Sequence, residues 1–241
     1  MLLDLNPQLD RKALHAEFIS TGRLQIRDVL SSDSASRILS ILATRTPWCL
    51  AWQAGSDGPH LIRPDELRKL APADRQGIAE RLSAAGEGEA GYAFLYHSYP
   101  LVTAYLEGWN PGSSHDRLLE DLNSAPFLSL LRDVTGMGDI VKADGQATLY
   151  AKGNFLWPHT DEEPARGRRV AYVLNLTAKE WRPQWGGYLN FFDDERDIEL
   201  ALRPRFNTLN LLSVPQWHSV SEVTATAPVA RYAITGWGRN Q

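Results

Sequence analysis

The chain has 241 residues, of which 43% are hydrophobic and 22% are charged, and its formal net charge is −4 at pH 7. This length allows one sizeable core, and the charged fraction is too ordinary for general disorder. The chain has no run of Lys or Arg of the kind that tracks phosphates, so nucleic-acid binding is not expected. The single cysteine, Cys49, excludes an internal disulfide and a thiolate-rich metal site, and it fits a reducing compartment.

The first ten residues include Asp4 and Asp10 and lack a basic segment followed by an apolar one. We therefore expect no signal peptide. No apolar stretch is long enough to span a bilayer, so no membrane association is expected either. These features predict a soluble, cytoplasmic protein, and they leave a monomer and a homodimer both open.

Helical patterns dominate the first half of the chain. Candidate N-caps at 31–33 precede apolar residues that recur at helical spacing. A second helix is expected to open at Pro64 and to end near Gly86. Residues 116–135 predict one or two further helices, with Gly136 as the stop signal.

Strand patterns dominate the second half. Two aromatic stretches before it, 48–52 and 92–96, also have the composition of strands. The further strands are expected at 142–151, 168–177, 187–192, 208–214, 218–223 and 231–237. Many short strands at close spacing predict a β-sandwich or a jelly roll. We therefore expect a mainly β protein with one domain, in which 1–135 form a helical and aromatic support and 136–241 form the core.

The sharpest local feature is the tripeptide His159-Thr160-Asp161. Residues i and i+2 of an extended segment point to the same face, so an imidazole and a carboxylate would be presented side by side. His218 lies in a separate predicted strand. Two His and one carboxylate leave about three open positions on an octahedral metal, as in non-haem Fe(II) oxygenases. The tripeptide is common, however, and His218 could also be a core histidine.

Arg231 begins the last predicted strand. If that strand is the antiparallel neighbour of the one with His218, Arg231 lies beside the metal ligands. A guanidinium has a planar fork that matches a carboxylate, so Arg231 is a candidate anion anchor. The alternative is an ordinary surface residue at the start of a strand. His15, His60 and His115 have no partner at metal-ligand spacing, and we expect them at the surface.

Taken together, these residues resemble the iron(II)/2-oxoglutarate-dependent oxygenases, in particular the prolyl hydroxylase branch with its His-X-Asp…His…Arg/Lys pattern. Tyr150 stands nine residues before His159, and Trp237 stands six residues after Arg231, as in that branch. The segment Trp-Gly-Gly-Tyr-Leu that begins at Trp185 resembles the start of a strand in the middle of such a barrel.

The most similar group is that of the ribosomal prolyl hydroxylases. The segments that resemble it are Tyr-Val-Leu-Asn-Leu at 172–176, His-Ser-Val-Ser-Glu-Val at 218–223 and the late Gly236-Trp237. The similarity covers roughly residues 140–240. The eukaryotic members carry a second, degenerate barrel after the catalytic one, and we expect none here because the sequence ends at Gln241.

The resemblance implies a double-stranded β-helix, or jelly roll, with Fe(II) as the metal and with 2-oxoglutarate and O2 as co-substrates. It allows for ascorbate as a reductant. The implied roles are Fe(II) ligation by His159, Asp161 and His218, binding of the 2-oxoglutarate C5-carboxylate by Arg231, donation of a hydroxyl to that carboxylate by Tyr150, and further co-substrate contacts by Asn175 and Trp237. The aromatic group at 92–99 and the polar loop at 162–169 are candidates for the substrate entrance and a lid.

The activity that follows is hydroxylation of a C–H bond, with a prolyl residue in a protein or peptide as the leading substrate. A free amino acid or another small molecule is the alternative substrate. An alternative of another class is a non-catalytic, cupin-like barrel that binds a ligand. Cupins usually have more His and a Glu, which this pattern lacks. The chain also has no nucleophile elbow, P-loop or dinucleotide fingerprint.

Overall fold

The computed structural model describes residues 1–88 and 91–241. Along these ranges run the helices α1 (Arg11–Thr21), α2 (Ser32–Thr44), α3 (Pro64–Lys69), α4 (Pro72–Glu87), α5 (Leu101–Leu106), α6 (Ser114–Leu122) and α7 (Ala125–Thr135). The strands are β1 (Arg23–Arg27), β2 (Cys49–Ala54), β3 (Asp57–Ile62), β4 (Ala93–Tyr99), β5 (Lys142–Ala143), β6 (Gln146–Tyr150), β7 (Phe155–His159), β8 (Arg168–Asn175), β9 (Leu189–Phe192), β10 (Ile198–Leu202), β11 (Thr208–Ser213), β12 (His218–Val220) and β13 (Arg231–Arg239). None of the helices in these ranges has both the length and the apolar character that a membrane crossing requires.

The strands form one antiparallel sheet that nearly closes into a barrel. Five strands make one half of the barrel, in the order β1-β11-β8-β13-β6, and four make the other half, in the order β7-β12-β9-β10. β4 pairs with both β6 and β7 and so links the two halves. This arrangement is that of a jelly-roll, double-stranded β-helix core, and the predicted fold class is confirmed.

The largest apolar core lies between the helices and the first half of the barrel. Its residues include Ile38 of α2, Leu131 of α7, Val170 of β8, Leu211 of β11 and Ile234 of β13. Burial of such side chains contributes about 1.5–3 kcal/mol each. The helices thus stabilise the outer side of the strands whose inner side faces the cavity described below.

The N-terminal part of the chain contributes strands to the same sheet as well as helices. β1 extends the sheet beside β11, and β2 pairs with both β3 and β4. The strand character of 48–52 and 92–96 is confirmed. The N-terminal support differs from our expectation because its strands belong to the same sheet as the core. That the chain is one domain stays a prediction.

Some predicted boundaries were wrong. The helix expected from Pro64 is two helices, because Pro72 opens α4 and forces Ala71 into an extended conformation with ψ 154°. The strand expected at 142–151 divides into β5 and β6. The strands β1, β3, β7 and β10 and the helices α1 and α5 were not predicted. β3 and β10 are largely exposed and therefore lack a regular alternation of apolar and polar residues.

Candidate metal centre and the cavity behind it

Two histidines meet across a strand pair. His159 is the last residue of β7, His218 is the first residue of β12, and the two are direct cross-strand partners. Their ring centroids are 4.2 Å apart. Side chains of directly opposite residues in an antiparallel pair lie on the same face of the sheet. The pairing of β7 with β12 therefore places both imidazoles side by side.

Backbone carbonyls orient both rings. His159 Nδ1 lies 2.9 Å from the carbonyl oxygen of Trp157, and His218 Nδ1 lies 2.8 Å from that of Gln216. A carbonyl only accepts hydrogen bonds, so each Nδ1 carries the proton and donates it. In a neutral imidazole this leaves the lone pair on Nε2, and such hydrogen bonds are typical of histidines that bind metals.

Asp161 completes the cluster, but not in the way we predicted. It lies beyond the end of β7 with φ 62°, so it is not the i+2 residue of an extended strand. The turn nevertheless brings its carboxylate to both rings, with Oδ1 3.2 Å from His159 Nε2 and Oδ2 3.3 Å from His218 Nε2. One ligand atom from each of the three residues falls within a 4.8 Å cluster, and among the described residues no other such group of His, Cys, Asp or Glu occurs.

The electrostatics of the cluster fit a cation. Burial by itself raises the pKa of Asp161, but hydrogen bonds from His159 and His218, which require a proton on Nε2, outweigh it and hold that pKa well below its usual range. The carboxylate is therefore ionised at neutral pH. Two Nε2 atoms and a carboxylate that converge on one point need a proton or a metal ion between them. Two imidazoles and one carboxylate are the donor set of non-haem Fe(II) sites.

Arg231 lines the same cavity, from a strand in the other half of the barrel. Only 2% of the residue is exposed, and Nη2 donates to Asn175 Oδ1 at 3.3 Å. Nε and Nη1 are buried and have no hydrogen-bond partner among the described residues. Burial lowers the pKa of Arg231 to about 10, so the side chain stays charged at neutral pH. A buried charge with unmatched donors is costly, which makes this part of the cavity suited to an anion.

The route by which Arg231 reaches the cavity differs from the prediction. β13 pairs with β5, β6 and β8, whereas His218 lies on β12 in the other half of the barrel. Arg231 and His218 are therefore not on adjacent strands. They line the same cavity from the two halves of the barrel. This is what a carboxylate anchor needs, because a ligand can then extend from one half of the barrel to the other.

Tyr150 and Asn175 both contact Arg231. Tyr150 is its cross-strand partner, and the guanidinium carbon lies 5.3 Å from the centroid of the phenol ring. Tyr150 also lines the cavity, and its predicted role as a hydroxyl donor stays a prediction. Asn175 is not among the residues that line the cavity. It holds Arg231 from behind, through Oδ1, which favours a supporting role over the direct co-substrate contact that we expected.

The cavity has a volume of about 110 Å³. One water needs about 10–15 Å³ of such space, so the cavity has room for a small molecule but not for a polypeptide. Apolar residues such as Leu189 and Leu212 form part of its walls. Trp237, the last of the predicted contacts, lines the cavity near its mouth. The predicted site residues other than Asn175 therefore surround one space.

A wider groove opens onto this cavity. It has a volume of about 550 Å³ and shares Tyr92, Gln146, Asp161 and Trp237 with the cavity lining. Apolar surface comes from Tyr92 and Phe94 of the predicted aromatic group, as well as from prolines. Every charged side chain that lines the groove is already paired within the described part of the chain. The pairs are Asp144 with Arg239, Asp161 with His159 and His218, and Glu163 with Arg166 and Arg168.

Sequence analysis missed some of these residues. Gln146 lies between the cavity and the groove, and no pattern in the sequence could have identified it. Arg168 belongs to the polar 162–169 loop, but nothing set it apart from its neighbours. The expectation that His115 is at the surface was wrong, because it is 4% exposed and lies 2.9 Å from Thr46 Oγ1.

Comparisons with known proteins agree with this geometry. Residues 145–239 match the model of the 2OG-Fe(II) oxygenase superfamily, and the resemblance to that superfamily is thereby confirmed. No curated protein sequence matches the chain.

Solved structures with similar folds include a Pseudomonas putida prolyl-4-hydroxylase. Its TM-score is 0.58 at 20% identity, over 96% of this chain and 99% of that one. A Trichoplax adhaerens prolyl hydroxylase, in complex with a fragment of the hypoxia inducible factor oxygen degradation domain, has a TM-score of 0.51 at 14% identity, over 95% and 89%. A non-haem α-ketoglutarate-dependent epimerase from nogalamycin biosynthesis has a TM-score of 0.53 at 12% identity, over 94% and 80%. At these identities the likeness establishes the fold alone.

Proposed function

We propose that this chain, whose residues 145–239 belong to the 2OG-Fe(II) oxygenase superfamily, is an Fe(II)- and 2-oxoglutarate-dependent dioxygenase that hydroxylates a prolyl residue in a polypeptide. One observation carries the dioxygenase part of the proposal. A single small cavity is lined both by a cluster of cation ligands and by a buried guanidinium with unmatched donors. A dicarboxylate that chelates a metal through one end and binds Arg231 through the other suits both.

The residues that line the cavity would have two roles, metal binding and co-substrate binding. The Nε2 atoms of His159 and His218 and one oxygen of Asp161 would hold Fe(II). Arg231, with Tyr150 beside it, would bind the far carboxylate of 2-oxoglutarate. When bound, the metal and its co-substrates supply the oxidising chemistry, and the protein supplies orientation and shielding from water.

The groove supports a polypeptide as the substrate. A free amino acid carries a carboxylate and an ammonium group, and a specific site for it needs an unmatched partner for each. The charges that line the groove are already paired with one another. The backbone of a polypeptide is uncharged, and its prolyl ring is apolar, so both suit the surface formed by Tyr92 and Phe94. The likeness to prolyl hydroxylases points in the same direction.

A small molecule is the second candidate substrate. The epimerase of nogalamycin biosynthesis shares the fold, and a fold by itself does not fix the function. In this case the ligand would be an uncharged molecule, for the same reason that disfavours a free amino acid.

We also propose a cytoplasmic location, because the free thiol of Cys49 fits a reducing compartment.

The first experiment measures succinate formed from 2-oxoglutarate by the Fe(II)-loaded protein in air, with ascorbate present. Wild type is compared with His218→Ala and with His60→Ala, which removes a half-exposed histidine that pairs with Asp57. We expect turnover in wild type and in His60→Ala, and none in His218→Ala. Proline-containing peptides, free proline and uncharged small molecules are then added in turn. We expect peptides to increase succinate formation and to gain one oxygen atom.

The other outcomes separate the alternatives. Stimulation by a small molecule but not by any peptide would favour the second candidate. Binding of 2-oxoglutarate without turnover under all additions would leave a ligand-binding barrel as the better description. Absence of both binding and turnover would overturn the proposed function.

A further inference from the structure

Arg168 connects three parts of the site through one side chain. It is the first residue of β8, and its side chain is 12% exposed. Nη1 donates to the backbone carbonyl oxygen of Asp161 at 3.2 Å, and Nη2 lies 2.9 Å from Glu163 Oε2. The guanidinium carbon lies 3.7 Å from the ring centroid of Trp237. A metal-ligand candidate, the loop that follows it and the aromatic residue at the cavity mouth thus share one partner.

The backbone of Asp161 requires a restraint, which such a partner can provide. Its φ of 62° lies in the left-handed region, which residues other than glycine adopt uncommonly, Asp and Asn more often than the rest. Residues held in such a conformation persist only where their surroundings impose it. No hydrogen bond of a regular strand holds Asp161, since β7 ends at His159. The bond from Arg168 to its carbonyl oxygen supplies a restraint at that point.

The far side of the loop is held by other contacts. Arg239 Nε donates to Arg166 O at 2.6 Å, Asn240 N donates to Gly167 O at 3.1 Å, and Gln241 Nε2 donates to Ala165 O at 2.9 Å. These bonds fix residues 165–167 without involving the Arg168 side chain. Loss of that side chain should therefore loosen the part of the loop next to Asp161 and leave the remainder in place.

We propose that Arg168 is a positioning residue, which fixes the backbone of Asp161 so that its carboxylate stays between His159 and His218. The proposal rests on the proposed function, because it takes these three residues as metal ligands. A guanidinium can do this because its planar fork donates in two directions while its face stacks on an aromatic ring. The ammonium group of a lysine could pair with Glu163 but could not make all three contacts at once.

A direct substrate contact is the competing role for Arg168, since it also lines the groove. The two roles differ in what they change. A substrate contact alters the apparent KM for the peptide and leaves metal affinity unchanged. A positioning role alters metal affinity in the absence of any substrate or co-substrate, and it does so by loosening the loop.

The test uses Arg168→Met, Arg168→Lys and the control Arg166→Met. The control is matched because Arg166 pairs with the same Glu163, at 2.6 Å, but its side chain is exposed and, among the described residues, forms no hydrogen bond or ion pair with Asp161. The Kd for Mn(II) is measured anaerobically without 2-oxoglutarate. Amide hydrogen exchange across 159–168 and the melting temperature are measured on the metal-free proteins.

We expect Arg168→Met to weaken Mn(II) binding by about 10–100-fold, the usual cost of losing a group that orients a ligand. Arg168→Lys should recover part of this loss, and Arg166→Met should stay within about twofold of wild type. Exchange should increase at 160–163 in Arg168→Met while the melting temperature changes little.

An equal Mn(II) affinity in wild type and Arg168→Met would overturn the positioning role, as would equal losses in Arg168→Met and Arg166→Met. Failure of the wild type itself to bind Mn(II) or Fe(II) is a different result. It would overturn the proposed function, and the positioning role with it.

Discussion

The two ends of the cavity solve the problem of buried charge in opposite ways. At the metal cluster, the charge of Asp161 is met by two imidazoles of the same chain, at 3.2 and 3.3 Å. At the other end, the guanidinium of Arg231 has only a neutral amide, that of Asn175, and a phenol ring near it. The first end has partners for that charge in its own chain, with a proton or a metal ion needed between them. The second end has no such partner, because no carboxylate of the described residues pairs with Arg231.

This difference indicates that Arg231 is the group that needs a ligand of opposite charge. Proteins rarely bury a lone charge, and a buried charge whose donors are unmatched destabilises the fold unless a partner arrives. Arg231 thus destabilises the ligand-free protein and at the same time provides a site for an anion. The cost at the metal cluster is smaller, because a proton or a metal ion held by the two imidazoles stabilises the ionised carboxylate.

The largest effect is expected at the metal end, from Asp161→Asn. The substitution keeps the shape of the side chain but removes the charge and one anionic ligand. Groups that merely orient a ligand cost about 10–100-fold in metal affinity when lost, so loss of a ligand should cost at least about 100-fold. Anaerobic Mn(II) titration and succinate formation measure this. The control is Glu162→Gln, one residue further along, and an Asp161→Asn protein with near-normal affinity would refute the assignment.

A large effect of another kind is expected from Arg231→Leu. Hydrogen bonds to a charged group contribute about 1.5–3 kcal/mol each, so the Kd for 2-oxoglutarate should rise by about 10–150-fold. The melting temperature of the ligand-free protein should stay the same or increase, because an uncompensated buried charge has been removed. Both quantities are measured on one preparation. Arg68→Leu, which alters an exposed pair with Asp65, should change neither.

A marked fall in melting temperature without any change in 2-oxoglutarate affinity would show that Arg231 is structural. That result would also remove the contrast between the two ends of the cavity.

The smallest of the three effects is expected from Asn175→Asp, which tests the contrast most directly. Asn175 Oδ1 is 3.3 Å from Arg231 Nη2, so a carboxylate there would give the guanidinium an internal counter-charge. We expect the melting temperature to increase and the Kd for 2-oxoglutarate to rise by about tenfold, because ligand and side chain now compete for one cation. Metal affinity should not change. Asn190→Asp, a buried asparagine that bonds Ser219 instead, is the control.

If Asn175→Asp left 2-oxoglutarate affinity unchanged, the missing counter-charge would not be what draws the ligand. Calorimetric titration of 2-oxoglutarate into the metal-loaded protein, beside a thermal melt, distinguishes the two cases.

Much of the site could be predicted from the sequence because its chemistry depends on residue type. His159, Asp161 and His218 were identified from a ligand pattern, and the structure brings them together. The geometric reasons given for them were less reliable. Asp161 reaches the histidines through a left-handed turn rather than along a strand, and Arg231 lines the cavity from the other half of the barrel rather than from the strand next to His218.

The fold also has elements that were predicted from the sequence and elements that were missed. Strands with continuous apolar runs, such as β8 and β11, were predicted within one or two residues, because burial on both sides leaves a clear pattern. β10 was missed because it is an exposed edge strand whose sequence has no clear strand pattern. Its hydrogen-bonded pairing with β9 holds it in the sheet. The stop of α7 at Gly136 was predicted correctly, since the left-handed φ of 72° there favours glycine.

The sequence by itself determined the residue types of the site, the β-rich character of the core, and the superfamily that the pattern resembles. Only the tertiary structure decided which residues face one another. The pairing of β7 with β12 and the hydrogen bond between Arg231 and Asn175 join segments far apart along the chain. Such contacts depend on how the whole sheet closes, and local patterns do not encode that closure. The same holds for Arg168, whose three partners become neighbours only when the barrel has formed.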